Sequence, residues 1–332
     1  MGGLVARISN GLGGKGNSNI LGVIHGMMPA TGAPLLYRQI VAGSEQESNP
    51  LLLHDLRTAK AKLLGRTRAE TTPVIANSPG CLELLPSHLY PPGWLIVTRQ
   101  FSPHKRNTEI ILPIANNPYI DIYKEKEEIW RMINPALLDP AKIHQRDRNS
   151  NQGSSNAWNE YSDLIDEVQE LHCLLLGNTN YHPNSYAFFS SGKLTYKSVN
   201  MIITARKEKL KFLSLNNYSQ YSNNNDHSKF NISIKHNIFH QYNSNNPYLV
   251  MQNANSKNFD LYDLEQPKEK IQILAPKDQG DDTVPEESGL APGNHISGIF
   301  RLNSVSHQNA FESHAAQTFT LLALCKLVGE KA

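Results

Sequence analysis

Two short apolar runs, far apart in the chain, limit the folds that it can adopt. Residues 20–24 read Ile-Leu-Gly-Val-Ile and residues 271–274 read Ile-Gln-Ile-Leu, and a glycine or proline follows each run closely. Short apolar runs bounded by turn residues predict strands, and the first has the composition of a buried parallel strand. Residues 163–176 and 312–328 instead carry apolar residues at helical spacing. Strands of this kind together with amphipathic helices indicate an α/β fold.

Composition narrows the classes of function. The 332 residues are 39% hydrophobic and 19% charged, which is enough apolar material for a folded core. The net charge of +2 argues against nucleic acid or an anionic membrane as a partner. Cys81, Cys173 and Cys325 form no Cys-x-x-Cys pair, which argues against a disulfide framework and a cysteine-rich zinc site. Because no run of 18 apolar residues occurs, we expect a soluble chain without a transmembrane segment.

A polar string follows the second apolar run. Residues 280–285 read Gly-Asp-Asp-Thr-Val-Pro and place Asp281 and Asp282 on a loop after a predicted strand, where open parallel sheets hold their sites. The same residue types also form surface turns and calcium loops, although calcium needs more oxygen ligands than this string offers. His307 lies 26 residues beyond Asp281, on the segment before the C-terminal helix pattern.

Two other histidines compete with His307 for a role beside these carboxylates. His295 lies in a Pro-Gly-Asn-His turn, and His314 falls within the predicted C-terminal helix. A zinc site made from Asp281, His307 and His314 would have suitable ligand types, but no His-Glu-x-x-His or similar spacing supports it. We expect no metal and no other cofactor.

Three segments resemble one family of enzymes. Met-Gly-Gly-Leu-Val-Ala-Arg at residues 1–7 resembles the second half of the nucleophile elbow of α/β-hydrolase lipases, beginning one residue after the serine. The Gly-Asp-Asp-Thr-Val-Pro string resembles the acid loop of lipases related to lecithin:cholesterol acyltransferase. Residues 25–45 resemble bacterial lipase-like proteins linked to type VI secretion. No serine of the chain lies in a Gly-x-Ser-x-Gly context.

The resemblance implies the carboxyl-terminal part of an α/β-hydrolase, with a mostly parallel sheet flanked by helices, a helical cap and a polar insertion. It implies that Asp281 orients His307, that His307 deprotonates a serine encoded just ahead of Met1, and that the Met1 backbone nitrogen serves the oxyanion hole. The chain is then a truncated serine ester hydrolase, a lipase or phospholipase, inactive as printed because the serine is absent. The alternative is a shortened, non-catalytic binding or decoy protein on the same scaffold.

Partners and regions follow from the same resemblance. It implies a lipid or other ester substrate, an immunity or secretion-apparatus protein as partner, and a cytoplasmic stage before secretion as an effector.

Residues 1–70 are predicted to begin the truncated hydrolase core, and residues 71–215 to form a helical cap or insertion. The asparagine-rich residues 216–258 are predicted to form a polar insertion, and residues 259–332 the carboxyl-terminal core with the acid and the histidine.

Overall fold

The computed structural model describes residues 2–11, 19–43, 65–100, 107–142, 156–176, 180–205, 248–252, 259–263 and 269–329. The α-helices within these ranges are α1 (Gly2–Gly11), α2 (Leu35–Ala42), α3 (Arg68–Ile75), α4 (Pro79–Leu82), α5 (Ala157–Leu176), α6 (Glu286–Leu290) and α7 (His314–Gly329). The strands are β1 (Val23–Gly26), β2 (Leu95–Gln100), β3 (Thr108–Leu112), β4 (Ser185–Ser191), β5 (Lys193–Tyr196), β6 (Val199–Ala205), β7 (Tyr248–Gln252), β8 (Phe259–Asp263), β9 (Glu269–Leu274), β10 (Lys277–Gly280) and β11 (Gly298–Asn303).

A small parallel sheet of three strands has the order β1-β4-β11. Every residue of β4 is buried, as expected for a central parallel strand covered on both faces. On one face, Tyr186 and Phe188 pack against residues of α7, among them Phe319. On the other face, Phe189 lies so close to Gly289 of α6 that a Cβ there would be 2.8 Å from the Phe189 Cβ. The alternation of side chains along β4 therefore places helices on both faces of the sheet.

A larger sheet of six strands has the order β3-β2-β6-β9-β8-β7. Only β2 and β6 pair in parallel, and the other neighbours are antiparallel. The prediction of a mostly parallel sheet therefore holds for the small sheet and is wrong for the larger one. Six residues join β7 to β8 and five join β8 to β9, and a parallel crossover needs a dozen residues or more, so these strands can only run antiparallel.

A two-stranded antiparallel sheet of β5 and β10 joins the small sheet to the loop that carries the predicted acid. The chain leaves β4 through Gly192 and enters β5, which pairs antiparallel with β10. Gly192 has a φ of +91°, in the region that favours glycine, and a Cβ there would lie 2.7 Å from the Ser304 hydroxyl oxygen. The close approach of the segment after β11 therefore requires glycine at the end of β4.

The predicted regions contain both helices and strands of the structure. Residues 71–215, predicted to be a helical cap or insertion, contain strands β2 to β6, and β4 is the centre of the small sheet. Within residues 216–258, the structure describes only the backbone strand β7, and the rest of this predicted insertion lies outside the described residues. The region boundaries stay a prediction. No helix in the described ranges is both long and apolar enough to cross a bilayer.

Candidate functional site

Asp281 follows β10 directly and shapes its own turn. The turn is closed by a bridge between Gly280 and Pro285, and the Asp281 N–H donates to the Val284 carbonyl at 3.2 Å. The Asp281 Oδ1 atom accepts the backbone N–H of Thr283 at 3.0 Å and that of Val284 at 2.6 Å. An aspartate that binds amides two and three residues ahead is typical of such turns. These two hydrogen bonds stabilise a carboxylate that is only 2% exposed.

His307 lies on the segment that follows β11. Its backbone N–H donates to the Asp281 carbonyl at 2.8 Å, and its ring Nδ1 lies 2.8 Å from Asp281 Oδ2. Because an ionised carboxylate only accepts hydrogen bonds, this geometry favours the tautomer that carries the proton on Nδ1. The side chain is 33% exposed, and Nε2 has no hydrogen-bond partner in the described part of the chain. The ring is therefore held at one nitrogen and open at the other.

Asp282, the neighbouring carboxylate, has a different environment. Its φ is +76°, and its backbone N–H donates to the buried Thr195 hydroxyl at 2.8 Å. Its Oδ1 accepts the Thr283 hydroxyl at 3.0 Å. The loss of surrounding water raises the pKa of Asp282, and the charge of Asp281 adds to this shift. Of the two carboxylates in the string, Asp281 is the one hydrogen-bonded to the His307 ring.

The competing histidines do not join this pair. His295 is exposed and ends a one-turn 3₁₀ helix, Gly293–His295, and its backbone N–H donates to the Pro292 carbonyl. His314 begins α7, is exposed, and has its Nδ1 3.4 Å from the Thr318 hydroxyl. Among the described residues, no group of three or more His, Cys, Asp or Glu side chains is arranged to hold a metal ion.

A buried histidine that the sequence analysis did not single out lies in β1. His25 is 3% exposed, its ring meets the Tyr181 ring edge-on at 5.7 Å, and its Nδ1 has no partner among the described residues. The Arg7 guanidinium lies 4.1 Å over the same Tyr181 ring and donates to the Leu175 carbonyl. Burial, with a contribution from the Arg7 charge, lowers the pKa of His25 to about 4. Its position directly after an apolar run was the available signal.

The predicted nucleophile and oxyanion donor are not among the residues that the structure describes. Met1, predicted to serve the oxyanion hole, lies outside the described residues. In the described ranges, no serine hydroxyl is hydrogen-bonded to the His307 ring. The serine nucleophile and the Met1 oxyanion donor, both placed on the turn ahead of α1, therefore stay predictions.

Comparison with known proteins gives a likeness of fold. No protein-family model and no curated protein sequence matches the chain. Among solved structures, a chain of the crystal structure of the Tle4–Tli4 complex superposes with a TM-score of 0.61 at 24% sequence identity. The superposition covers 98% of this chain and 58% of that chain, so this chain spans little more than half the length of its neighbour. The protein thus has a mixed α/β fold like that of the neighbour.

Proposed function

We propose that this fold carries the acid and base of a serine ester hydrolase, with Asp281 as the orienting acid and His307 as the general base. The supporting observation is the 2.8 Å contact between His307 Nδ1 and Asp281 Oδ2, in a His307 side chain that is 33% exposed. Acyl transfer needs a histidine with two different ring nitrogens, because one must be fixed while the other exchanges a proton with the nucleophile. The order of the two residues, acid before histidine, is also that of α/β-hydrolases.

In the proposed reaction, His307 Nε2 removes the proton from a serine hydroxyl as its oxygen attacks the ester carbonyl carbon. Asp281 stays ionised and stabilises the imidazolium that forms. The imidazolium then gives its proton to the departing alkoxide, leaving an acyl-enzyme. A water molecule, deprotonated by the same nitrogen, then attacks the acyl carbon. The bond from that carbon to the serine oxygen breaks, and the imidazolium returns its proton to the serine oxygen as the acid leaves. The Met1 backbone nitrogen is proposed as one donor to the oxyanion.

The proposal includes the serine that the resemblance assigns to the position ahead of Met1. The residues printed here are therefore expected not to hydrolyse esters by themselves, because loss of such a serine lowers turnover by about 10⁶-fold in a well-studied protease. We propose a lipid ester as substrate and an immunity protein as partner, on the resemblance to lipase-like proteins linked to type VI secretion. The neighbour's occurrence in a two-protein complex supports the proposal of a protein partner.

Labelling by a fluorophosphonate, which reacts with activated serines, tests this function. A chain extended at its N-terminus to include the elbow serine is expected to label, and His307→Ala should abolish labelling. Asp281→Asn should slow it by about 10⁴-fold, because the ring loses the correct tautomer. His314→Ala is the matched control, since this exposed histidine does not contact Asp281. Undiminished labelling of the His307→Ala chain would show that the base is assigned wrongly.

A further inference from the structure

Three consecutive residues at the carboxyl end of β4, Ser190, Ser191 and Gly192, contact the segment that carries His307. The Ser190 hydroxyl accepts the backbone N–H of Val305 at 3.1 Å, and the Ser191 carbonyl accepts that of Ser304 at 2.6 Å. Val305 is two residues ahead of His307. These hydrogen bonds fix the path of the backbone just before the histidine.

The same three residues contact the elements on either side of Asp281. The Gly192 N–H donates to the side-chain carbonyl of Gln279 at 2.7 Å, and Gln279 lies in β10, two residues before Asp281. The Ser191 hydroxyl donates to Glu286 Oε2 at 2.8 Å, and Glu286 begins α6, five residues after Asp281. The loop of the acid is thus held to the end of β4 on both sides.

Arg301 of β11 completes this arrangement. Its Nη2 donates to the Ser191 hydroxyl at 2.7 Å and lies 3.2 Å from Glu286 Oε1. The Ser191 hydroxyl therefore accepts from the strand that leads to His307 and donates to the helix that follows Asp281. A single buried hydroxyl joins the two segments that must stay in register for the 2.8 Å contact of the pair.

The hydroxyl groups of Ser190 and Ser191 are buried and need hydrogen-bond partners inside the protein. Ser190 and Ser191 are each 2% exposed, and a buried hydroxyl without a partner costs free energy, so each depends on the segments that it holds. Ser185, at the other end of β4, is fully buried too, but its hydroxyl has no hydrogen-bond partner among the described residues. The strand thus supplies its own control.

We propose that Ser190 and Ser191 are positioning residues that set the contact between Asp281 and His307. They do not touch the reacting atoms, and they act by fixing the backbones before His307 and around Asp281. The effect of this positioning on catalysis rests on the proposed function. The geometric effect does not, because the state of the His307 ring is measurable without any nucleophile.

Nuclear magnetic resonance of the printed chain tests the proposal. A proton held between His307 Nδ1 and Asp281 is expected to give a low-field resonance, which Asp281→Asn removes and so assigns. The double variant Ser190→Ala/Ser191→Ala should lose this resonance, because a loosened contact lets the proton exchange with water. Ser185→Ala should keep it at the parent's intensity. Amide spectra of all chains report whether the fold is retained.

The outcomes separate this proposal from the proposed function. If the folded double variant keeps the resonance at the parent's intensity, the positioning role is wrong. Should the double variant not fold, Ser190→Ala alone is measured, and the same two results decide. If the resonance behaves as expected while the extended chain fails to label with fluorophosphonate, the positioning role stands and the hydrolase function falls.

Discussion

At the scale of single residues, the two oxygens of Asp281 have different partners. Oδ1 accepts two amides of its own turn, and Oδ2 faces the His307 ring. One carboxylate can therefore hold its loop in shape and orient an imidazole without exchanging one partner for the other. A protonated carboxyl would weaken both sets of contacts, since charge-assisted hydrogen bonds are about twice as strong as neutral ones.

The sequence could predict that Asp281 and His307 are candidate site residues, but it could not predict the residues that hold them in contact. The acid lies in a recognisable string and the histidine at a recognisable place before the last helix. Ser190 and Ser191 are serines at the end of a strand, and their partners are 115 and 95 residues away along the chain. No local pattern encodes such contacts, so only the folded arrangement of β4, β10 and β11 shows them.

Acid is predicted to destabilise the protein through the buried, neutral His25. The pKa of His25 falls from about 6.5 in the unfolded chain to about 4 in the folded one because of burial, so the unfolded chain binds the proton more tightly between these values. Its stabilising contribution is complete above pH 6.5 and is lost as the pH falls towards 4. At about 1.4 kcal/mol per pKa unit, the loss is about 3 kcal/mol.

Urea unfolding at pH 7 and pH 4.5 measures most of this loss. His25→Phe keeps a ring against Tyr181 but cannot bind a proton, so its free energy of unfolding should fall less between the two pH values than that of the parent. His314→Gln changes an exposed histidine and should leave the pH dependence as in the parent. An identical pH dependence in the His25→Phe chain would rule out His25 as the cause.

At the scale of elements, periodicity predicted the long helices well and the short elements poorly. The pattern at residues 163–176 is confirmed by α5, which begins six residues earlier at Ala157, and the C-terminal pattern is confirmed by α7. The apolar pattern of residues 119–132 also predicts a helix, but only one π-helical turn, Tyr119–Tyr123, forms there. The strand β10 reads Lys-Asp-Gln-Gly and has no apolar alternation, so its pairing with β5 could not be foreseen.

The junction between β4 and β5 is predicted to tolerate no side chain. Gly192→Ala would place a Cβ 2.7 Å from the Ser304 hydroxyl oxygen and 3.2 Å from the Ser304 nitrogen, at a φ of +91°. We expect a loss of about 1–3 kcal/mol of stability from the strained backbone conformation and the displaced segment. Gly293→Ala is the control, because Gly293 also has positive φ, +41°, but its Cβ would meet nothing within 4 Å.

Thermal unfolding of both variants checks this prediction. The melting temperature of Gly192→Ala should lie several degrees below that of Gly293→Ala, because only the first variant combines a strained φ with a steric clash. Equal melting temperatures would mean that the segment after β11 moves aside without cost. That result would also weaken the view that the end of β4 fixes the position of His307.

At the scale of the whole molecule, the candidate site lies beside the short sheet of β5 and β10, through which the chain passes between the two larger sheets. Asp281 follows β10, which the chain enters directly from β9 of the larger sheet. His307 follows β11 of the small sheet, and β4 is the strand between β11 and β1. The chain also passes from β4 through β5 to β6, and so from one sheet to the other. The contact between Asp281 and His307 therefore joins the segment that follows the β5–β10 sheet to the segment that follows the small parallel sheet.

The small sheet leaves apolar surface open. Among the described residues, β1 pairs with a strand on one side only, and no residue of β1 carries a net charge above pH 7. On α7, Leu321, Leu324 and Val328 lie at helical spacing and are 62%, 48% and 60% exposed. An uncharged strand edge and an apolar helix stripe both favour association between molecules.

The printed chain is therefore predicted to associate with itself, and sedimentation velocity measures this. Its weight-average mass should rise with protein concentration, and Leu321→Glu/Leu324→Glu should shift the distribution towards the monomer, because burying two carboxylates in an apolar contact is costly. Leu174→Glu is the control, since this leucine of α5 is 54% exposed but lies outside the stripe. A parent chain that stays monomeric at all concentrations, or a double variant that associates as the parent does, would show that the α7 stripe does not drive association.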